Sequence, residues 1–182
     1  MKPMNVYVLT LSKVFPVSHP KAGKPTYFKG KLENAHVVQY DPQEKDSWVH
    51  IVAPEPEPLL KIHTIRGNYE LWRKRFDEIE EGKACISLRQ WTGKPYASKQ
   101  VEIARLTKED GIGCQLLCFA GNFTKKDRYL SRPIVGGVRE IRAQELAMND
   151  GLTFRDWLEW FSDKNYDLSK PMVIIQLTKY RY

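Results

Sequence analysis

Short apolar stretches separated by polar and turn-forming residues recur along this chain, and the clearest of them stand near its two ends. Residues 6–11, Val-Tyr-Val-Leu-Thr-Leu, predict a first strand, and residues 172–177, Met-Val-Ile-Ile-Gln-Leu, a strongly apolar last one. Further strands are expected at 35–40, 48–52, 84–88, 101–106 and 114–119. From 68 to 81 the period becomes helical: Leu71, Trp72, Phe76 and Ile79 form one stripe, and Gly82 stands where a helix stops. Arg73, Lys74 and Arg75 fall on or near the opposite face. A second helix opens at Thr153, whose Thr-x-x-Asp spacing resembles a capping box. It turns Phe154, Trp157, Leu158 and Phe161 inward and leaves Arg155, Asp156 and Glu159 outside. A short helix is expected at 141–147. Residues 19–26 and the basic stretch 122–137, with Lys125, Lys126, Arg128 and Arg132, read as loops, and the Pro-Glu alternation at 53–58 as an extended connector. Many short strands with few helices predict an α+β domain on a small, barrel-like sheet.

Composition narrows this further. The chain has 182 residues, of which 42% are apolar, enough for one domain with a real core. The residues before the proline connector carry too little apolar mass to fold alone, so a single domain over 1–182 is expected. No run of 18 apolar residues occurs, and the apolar start is too short for a signal peptide, so the expected location is cytoplasmic. Cys85, Cys114 and Cys118 form no CxxC pair, and His19, His36, His50 and His63 show no metal-ligand spacing; neither a metal nor a cofactor is expected. The net charge of +7 is uneven. Residues 61–108 hold 11 basic and 6 acidic side chains and so supply most of it. Such a segment fits a phosphate or nucleic-acid footprint, and equally a solvated basic face.

Few residues are placed to carry chemistry. Gly23-Lys24 is followed by Pro25 and lacks the upstream glycines of a phosphate loop. The run Lys61-Ile62-His63-Thr64-Ile65-Arg66 puts four polar groups among apolar anchors. In a straight strand Lys61 and His63 would face one way and Thr64 and Arg66 the other, so a shared ligand requires a bend; an edge strand with alternating exposure fits the same spacing. Arg89, Trp91, Lys94, Tyr96 and Lys99 surround a Gly-Pro loop, where aromatics can stack bases and lysines meet phosphates. The other reading is a hairpin whose Trp91 and Tyr96 pack back on the sheet.

The run 61–66 resembles the signature of the ASCH domain family, Gly-x-Lys-x-x-Glu-x-Arg. Lys61 and Arg66 match; Leu59 stands at the Gly position and Thr64 at the Glu position. Thr there is similar to the small ASCH proteins that act as acetylcytidine amidohydrolases, and Asp150 falls where their catalytic Glu lies. The resemblance covers most of 59–182, with the last strand matching theirs, and leaves 12–58 as a family-atypical insertion. It implies a PUA-like fold, a small β-barrel with peripheral helices. It also implies a cleft lined by Lys61, His63, Thr64 and Arg66, rimmed by Trp91 and Tyr96, that takes RNA or a modified nucleoside or nucleotide. The alternative it implies is an amidohydrolase of N-acylated cytidine, with Thr64 as nucleophile, Lys61 as its base and Asp150 orienting Lys61 or passing a proton to the leaving amine. A third reading, from charge alone, is an adaptor for an acidic protein.

Overall fold

The computed structural model describes residues 4–37, 59–120, 132–161 and 167–182. The first strand, β1 (Asn5–Thr10), is followed by helix α1 (Phe28–Val37) and strand β2 (His63–Gly67). Helix α2 (Tyr69–Glu80) leads to strands β3 (Ala84–Trp91), β4 (Gln100–Leu106), β5 (Gly113–Ala120), β6 (Arg132–Val135) and β7 (Arg139–Glu140). Helices α3 (Ala143–Asn149) and α4 (Phe154–Trp160) precede the last strand, β8 (Met172–Gln176). The architecture is α+β. The described strands form two sheets, ordered β1-β3-β4 and β2-β8-β5-β6-β7, rather than one closed barrel.

One apolar core joins the two sheets. Leu9, Ile86 and Leu88 from the first meet Ile65, Leu117 and Ile174 from the second, with Phe76 and Ile79 of α2 and Trp157 of α4 packed on them. Burying each such side chain contributes about 1.5–3 kcal/mol. Strand β8 is buried along its whole length because β2 and β5 flank it on either side. That position explains its unbroken apolar run. Helix α2 ends in a Schellman turn: Lys83 N–H reaches Glu78 O and Gly82 N–H reaches Ile79 O, both at 2.9 Å, with Gly82 at φ +72°.

Several expectations need correction. Residues 35–37 are not a strand but the last turn of α1. Phe28, Leu32 and Ala35 are buried at i, i+4 and i+7, a helical stripe hidden by the β-branched residues that follow it. Arg132–Val135 is strand β6, not loop, with Ile134 opposite Cys118 in register. Leu71 of the α2 stripe is exposed, whereas Trp72, Phe76 and Ile79 are buried. Asp156 does not face solvent; it is 6% exposed. The short helix near 141 begins two residues later, at Ala143. The expected elements at 48–52 and 53–58, and the loop cations Lys125, Lys126 and Arg128, lie outside the described residues.

Residues 12–37 are integral to the core, since Phe15, Phe28 and Leu32 all enter it. They also fix α4. Thr153 Oγ1 accepts from Asp156 N–H at 3.1 Å and donates to the Asp156 carboxylate at 2.9 Å, and Lys21 Nζ donates to the same carboxylate at 2.7 Å. Burial pushes the Asp156 pKa up, but these bonds more than offset it and the net shift is downward. Thr153→Ala is expected to cost about 1 kcal/mol in urea unfolding, the usual scale of a lost N-cap.

Candidate functional site

The bend that the 61–66 run requires is present. Strand β2 starts only at His63. Before it, Lys61 forms an isolated antiparallel bridge with Asp150, and Ile62 N–H donates to Asn149 O at 2.9 Å. The short irregular step turns Lys61 to the side that Thr64 and Arg66 occupy. All three, with Asp150, line one cavity of about 90 Å³, together with Ser12 and Phe28.

Asp150 is aimed by the end of α3. Gly151 N–H reaches Met148 O and Leu152 N–H reaches Ala147 O, a second Schellman turn with Gly151 at φ +77°. A side chain at Gly151 would also crowd Lys61, since its Cβ would lie 3.3 Å from Lys61 Cδ and 3.4 Å from Leu60 O.

Lys61 and Asp150 are both almost wholly buried. Lys61 Nζ donates to Asp150 Oδ1 and, at 2.8 Å, to Asp150 main-chain O. The ammonium lies 4.1 Å from the centroid of the Phe28 ring. Burial lowers the Lys61 pKa; Asp150 pulls it back up, Arg66 and Lys31 push it down, and it settles at about 8. Burial also raises the Asp150 pKa despite Lys61. The low-polarity site thus drives both partners toward their neutral forms. Arg66 reaches across the cleft: its NH1 donates to Thr64 Oγ1 at 2.8 Å and to Ile65 O at 2.7 Å, and NH2 donates to Thr10 O at 2.7 Å. A guanidinium on Thr64 Oγ1 favours the alkoxide form of that hydroxyl, the state a nucleophile needs.

His63 is buried behind the pair and is not among the cavity-lining residues. Its Nε2 is 2.8 Å from Tyr182 Oη and its Nδ1 is 3.9 Å from Asp150 Oδ1. Burial first, and then the Lys61 charge, hold its pKa well below the usual range, so the ring is neutral. The five hairpin residues also lie away from the lining of that cavity. Arg89 Nε donates to Ser87 Oγ at 2.8 Å. The Trp91 and Tyr96 rings pack against each other, with centroids 5.3 Å apart, and Tyr96 is 92% exposed. Lys94 and Lys99 are exposed in the same turn. The hairpin connects to the cleft through β1: Leu11 N–H donates to Arg89 O, and Thr10 O is the acceptor for Arg66.

The basic segment is dispersed in space. Arg73 pairs with Asp77 and Arg105 with Glu102 on the surface, while Lys61 is inside the fold. Other chemistries have little support. Loop 19–26 closes on itself, with Ala22, Gly23 and Lys24 amides donating to His19, Phe15 and Lys21 carbonyls, so they form no phosphate cradle. Among the described residues no group of three His, Cys, Asp or Glu side chains is placed to hold a metal ion, and no helix is long and apolar enough to cross a membrane. Burial pushes the Cys114 thiol up to about 11, which keeps it protonated and unreactive.

Ser12, Phe28 and Trp160 also line the cavity, and nothing in the 61–66 run points to them. The weak signal for Phe28 was the Phe28-Leu32-Ala35 spacing. Comparison of the chain with family models, with curated proteins and with solved structures finds no match in any of the three.

Proposed function

We propose that the chain is an ASCH-type protein of PUA-like fold whose cleft hydrolyses the amide of an N-acylated cytidine or a closely related acylated nucleoside. The observation that carries this reading is the convergence of Lys61, Thr64, Arg66 and Asp150 on one cavity. Of the two cations lining the cavity, Lys61 is already matched by Asp150 and so is poorly placed to serve as an anion-binding group. A buried amine titrating near neutrality beside a hydroxyl and a carboxylate is instead suited to moving protons.

The steps follow from the side chains. Neutral Lys61 takes the proton of the Thr64 hydroxyl as its oxygen adds to the acyl carbon, breaking the carbonyl π bond. Arg66 holds the resulting oxyanion. As the tetrahedral centre collapses, the bond to the ring amine breaks and Lys61 returns its proton to the departing nitrogen. The aminopyrimidine leaves more readily than an alkyl amine because its nitrogen lone pair is delocalised into the ring. Water then cleaves the Thr64 ester with Lys61 again as base. Asp150 holds Lys61 in place and keeps its pKa from falling further.

Acetate release from acetylcytidine tests this reading. Turnover is expected, and its absence over a panel of acylated nucleosides overturns it. The pH dependence has a definite sign. The Lys61 free base is required, so kcat/KM rises with pH and levels off above an apparent pKa near 8. A profile that falls over that interval contradicts Lys61 as base.

A further inference from the structure

A second cavity, of about 450 Å³, adjoins the Lys61 cleft and is lined by Lys21, Lys24, Tyr27, Lys31, Thr153 and Asp156, among others. The two are neighbours across Phe28, which lines the small one, and Gly151, which lines the large one; a Cβ at Gly151 would lie 3.3 Å from Lys61 Cδ and 3.4 Å from Lys31 Cδ. Lys61 Nζ lies 4.1 Å and Lys31 Nζ 5.8 Å from the centroid of the same Phe28 ring, and Gly151 follows Asp150 directly. Three ammonium groups therefore surround a volume with a single carboxylate, Asp156. That carboxylate is already engaged by Lys21 and by the Thr153 hydroxyl, and Asp150 by Lys61. Lys31 is half-buried and donates to the main-chain oxygen of Gly151 at 2.7 Å. Burial lowers its pKa, so its cation is held at a cost that an incoming anion would relieve.

The cavity wall carries a further sign of a ligand site. Tyr27 has φ +58°, in the left-handed region that a tyrosine seldom adopts. It is held there because its carbonyl accepts Lys31 N–H at 3.0 Å and Thr26 beside it is anchored by its hydroxyl on Ser12 O at 2.7 Å. The result is a tyrosine 69% exposed on the wall that carries the three lysines. Strained backbone that presents an aromatic to a cavity is characteristic of ligand clamps.

We infer that this second cavity is a phosphate subsite, and that the Lys61 cleft prefers an acylated mononucleotide to the free nucleoside. The inference rests on the nucleoside reading of the cleft and names its substrate class more closely. The acyl amide reaches into the small cleft, and the phosphate lies among Lys21, Lys24 and Lys31 with Tyr27 flanking the ribose. The small cleft, of about 90 Å³, holds only the reacting end of such a ligand, and the volume beside it lies within the range of small-molecule sites. The lysines gather round one volume, which suits a single doubly charged terminal phosphate better than a continuing strand.

Calorimetric titration of the full chain with cytidine 5′-monophosphate, cytidine and inorganic phosphate tests this without requiring turnover. The monophosphate is expected to bind about tenfold or more tightly than either of the others, the scale of one charge-assisted hydrogen bond. Lys24→Met and Lys31→Met should each remove most of that advantage. Lys31 also supports Gly151, so the exposed Lys24 provides the arm that leaves the fold undisturbed. Equal binding of cytidine and its monophosphate overturns the subsite. Inorganic phosphate binding as tightly as the monophosphate reduces it to a simple anion site and overturns the nucleotide assignment. Oligocytidylate whose affinity grows with length overturns the commitment to a mononucleotide. Loss of acetate release with the monophosphate preference intact would sink the hydrolytic reading and leave the subsite standing.

Discussion

Asp150→Asn is expected to destabilise the fold by about 3–5 kcal/mol at neutral pH, because it leaves the Lys61 ammonium buried without a counter-charge. The loss should depend on pH in a predictable direction. The Lys61 pKa, already lowered to about 8 by burial, falls further once the Asp150 charge is gone. The unfolded chain keeps the ordinary lysine value, so on the acid side it binds a proton that the folded variant resists. The penalty is therefore greatest at about pH 6.5 and shrinks toward about pH 9.5, where Lys61 is largely neutral in the folded state. Urea titrations at the two pH values measure this. The double variant Lys61→Met, Asp150→Asn should recover much of the loss, since replacing a buried pair by neutral groups of similar size is far cheaper than breaking it. A penalty for Asp150→Asn that is small and independent of pH would contradict the buried ion pair.

Thr64→Val should lower acetate release by at least about a thousandfold, roughly 4 kcal/mol of transition-state stabilisation, the scale of a lost nucleophile. The substitution nearly preserves shape in a position 2% exposed. Arg66 keeps its bonds to Ile65 O and Thr10 O when the Thr64 hydroxyl is gone, so the cleft should hold its form. Thr64→Ser retains the hydroxyl and should retain measurable turnover. This pair of variants isolates the chemistry better than Lys61→Ala, which combines loss of the base with the stability penalty of an orphaned buried Asp150. Activity in Thr64→Val near the wild-type level would transfer the attack to water and remove Thr64 from the mechanism.

Those residues were reachable from the chain because local pattern carries them. The helical stripe ending at Gly82 and the apolar run of β8 depend on near neighbours, and both elements stand where periodicity puts them. The 61–66 run, with Asp150 matched by resemblance, named four of the cavity-lining side chains, Lys61, Thr64, Arg66 and Asp150. What stayed hidden depends on distant partners. Asp156 reads as an exposed helix residue until Lys21, 135 positions earlier, folds over it. Phe28 and Lys31 sit in a helix interrupted by Gly30 and Asn34, both poor helix formers, and so its stripe was weak. The basic segment 61–108 appeared as one face only because sequence adjacency hides the surface pairs that neutralise Arg73 and Arg105. Burial of Lys61 itself cannot be read from a lysine in a sequence; it follows from Phe28 and Asp150 closing around it.

The most direct test of the hydrolytic cleft is to incubate the protein with acetylcytidine near pH 8 and quantify both products, with Thr64→Val alongside. Cytidine and acetate are expected in equal amounts from the wild type, and none above background from the variant. No acetate from the wild type, or equal release by both proteins, would contradict hydrolysis by this cleft.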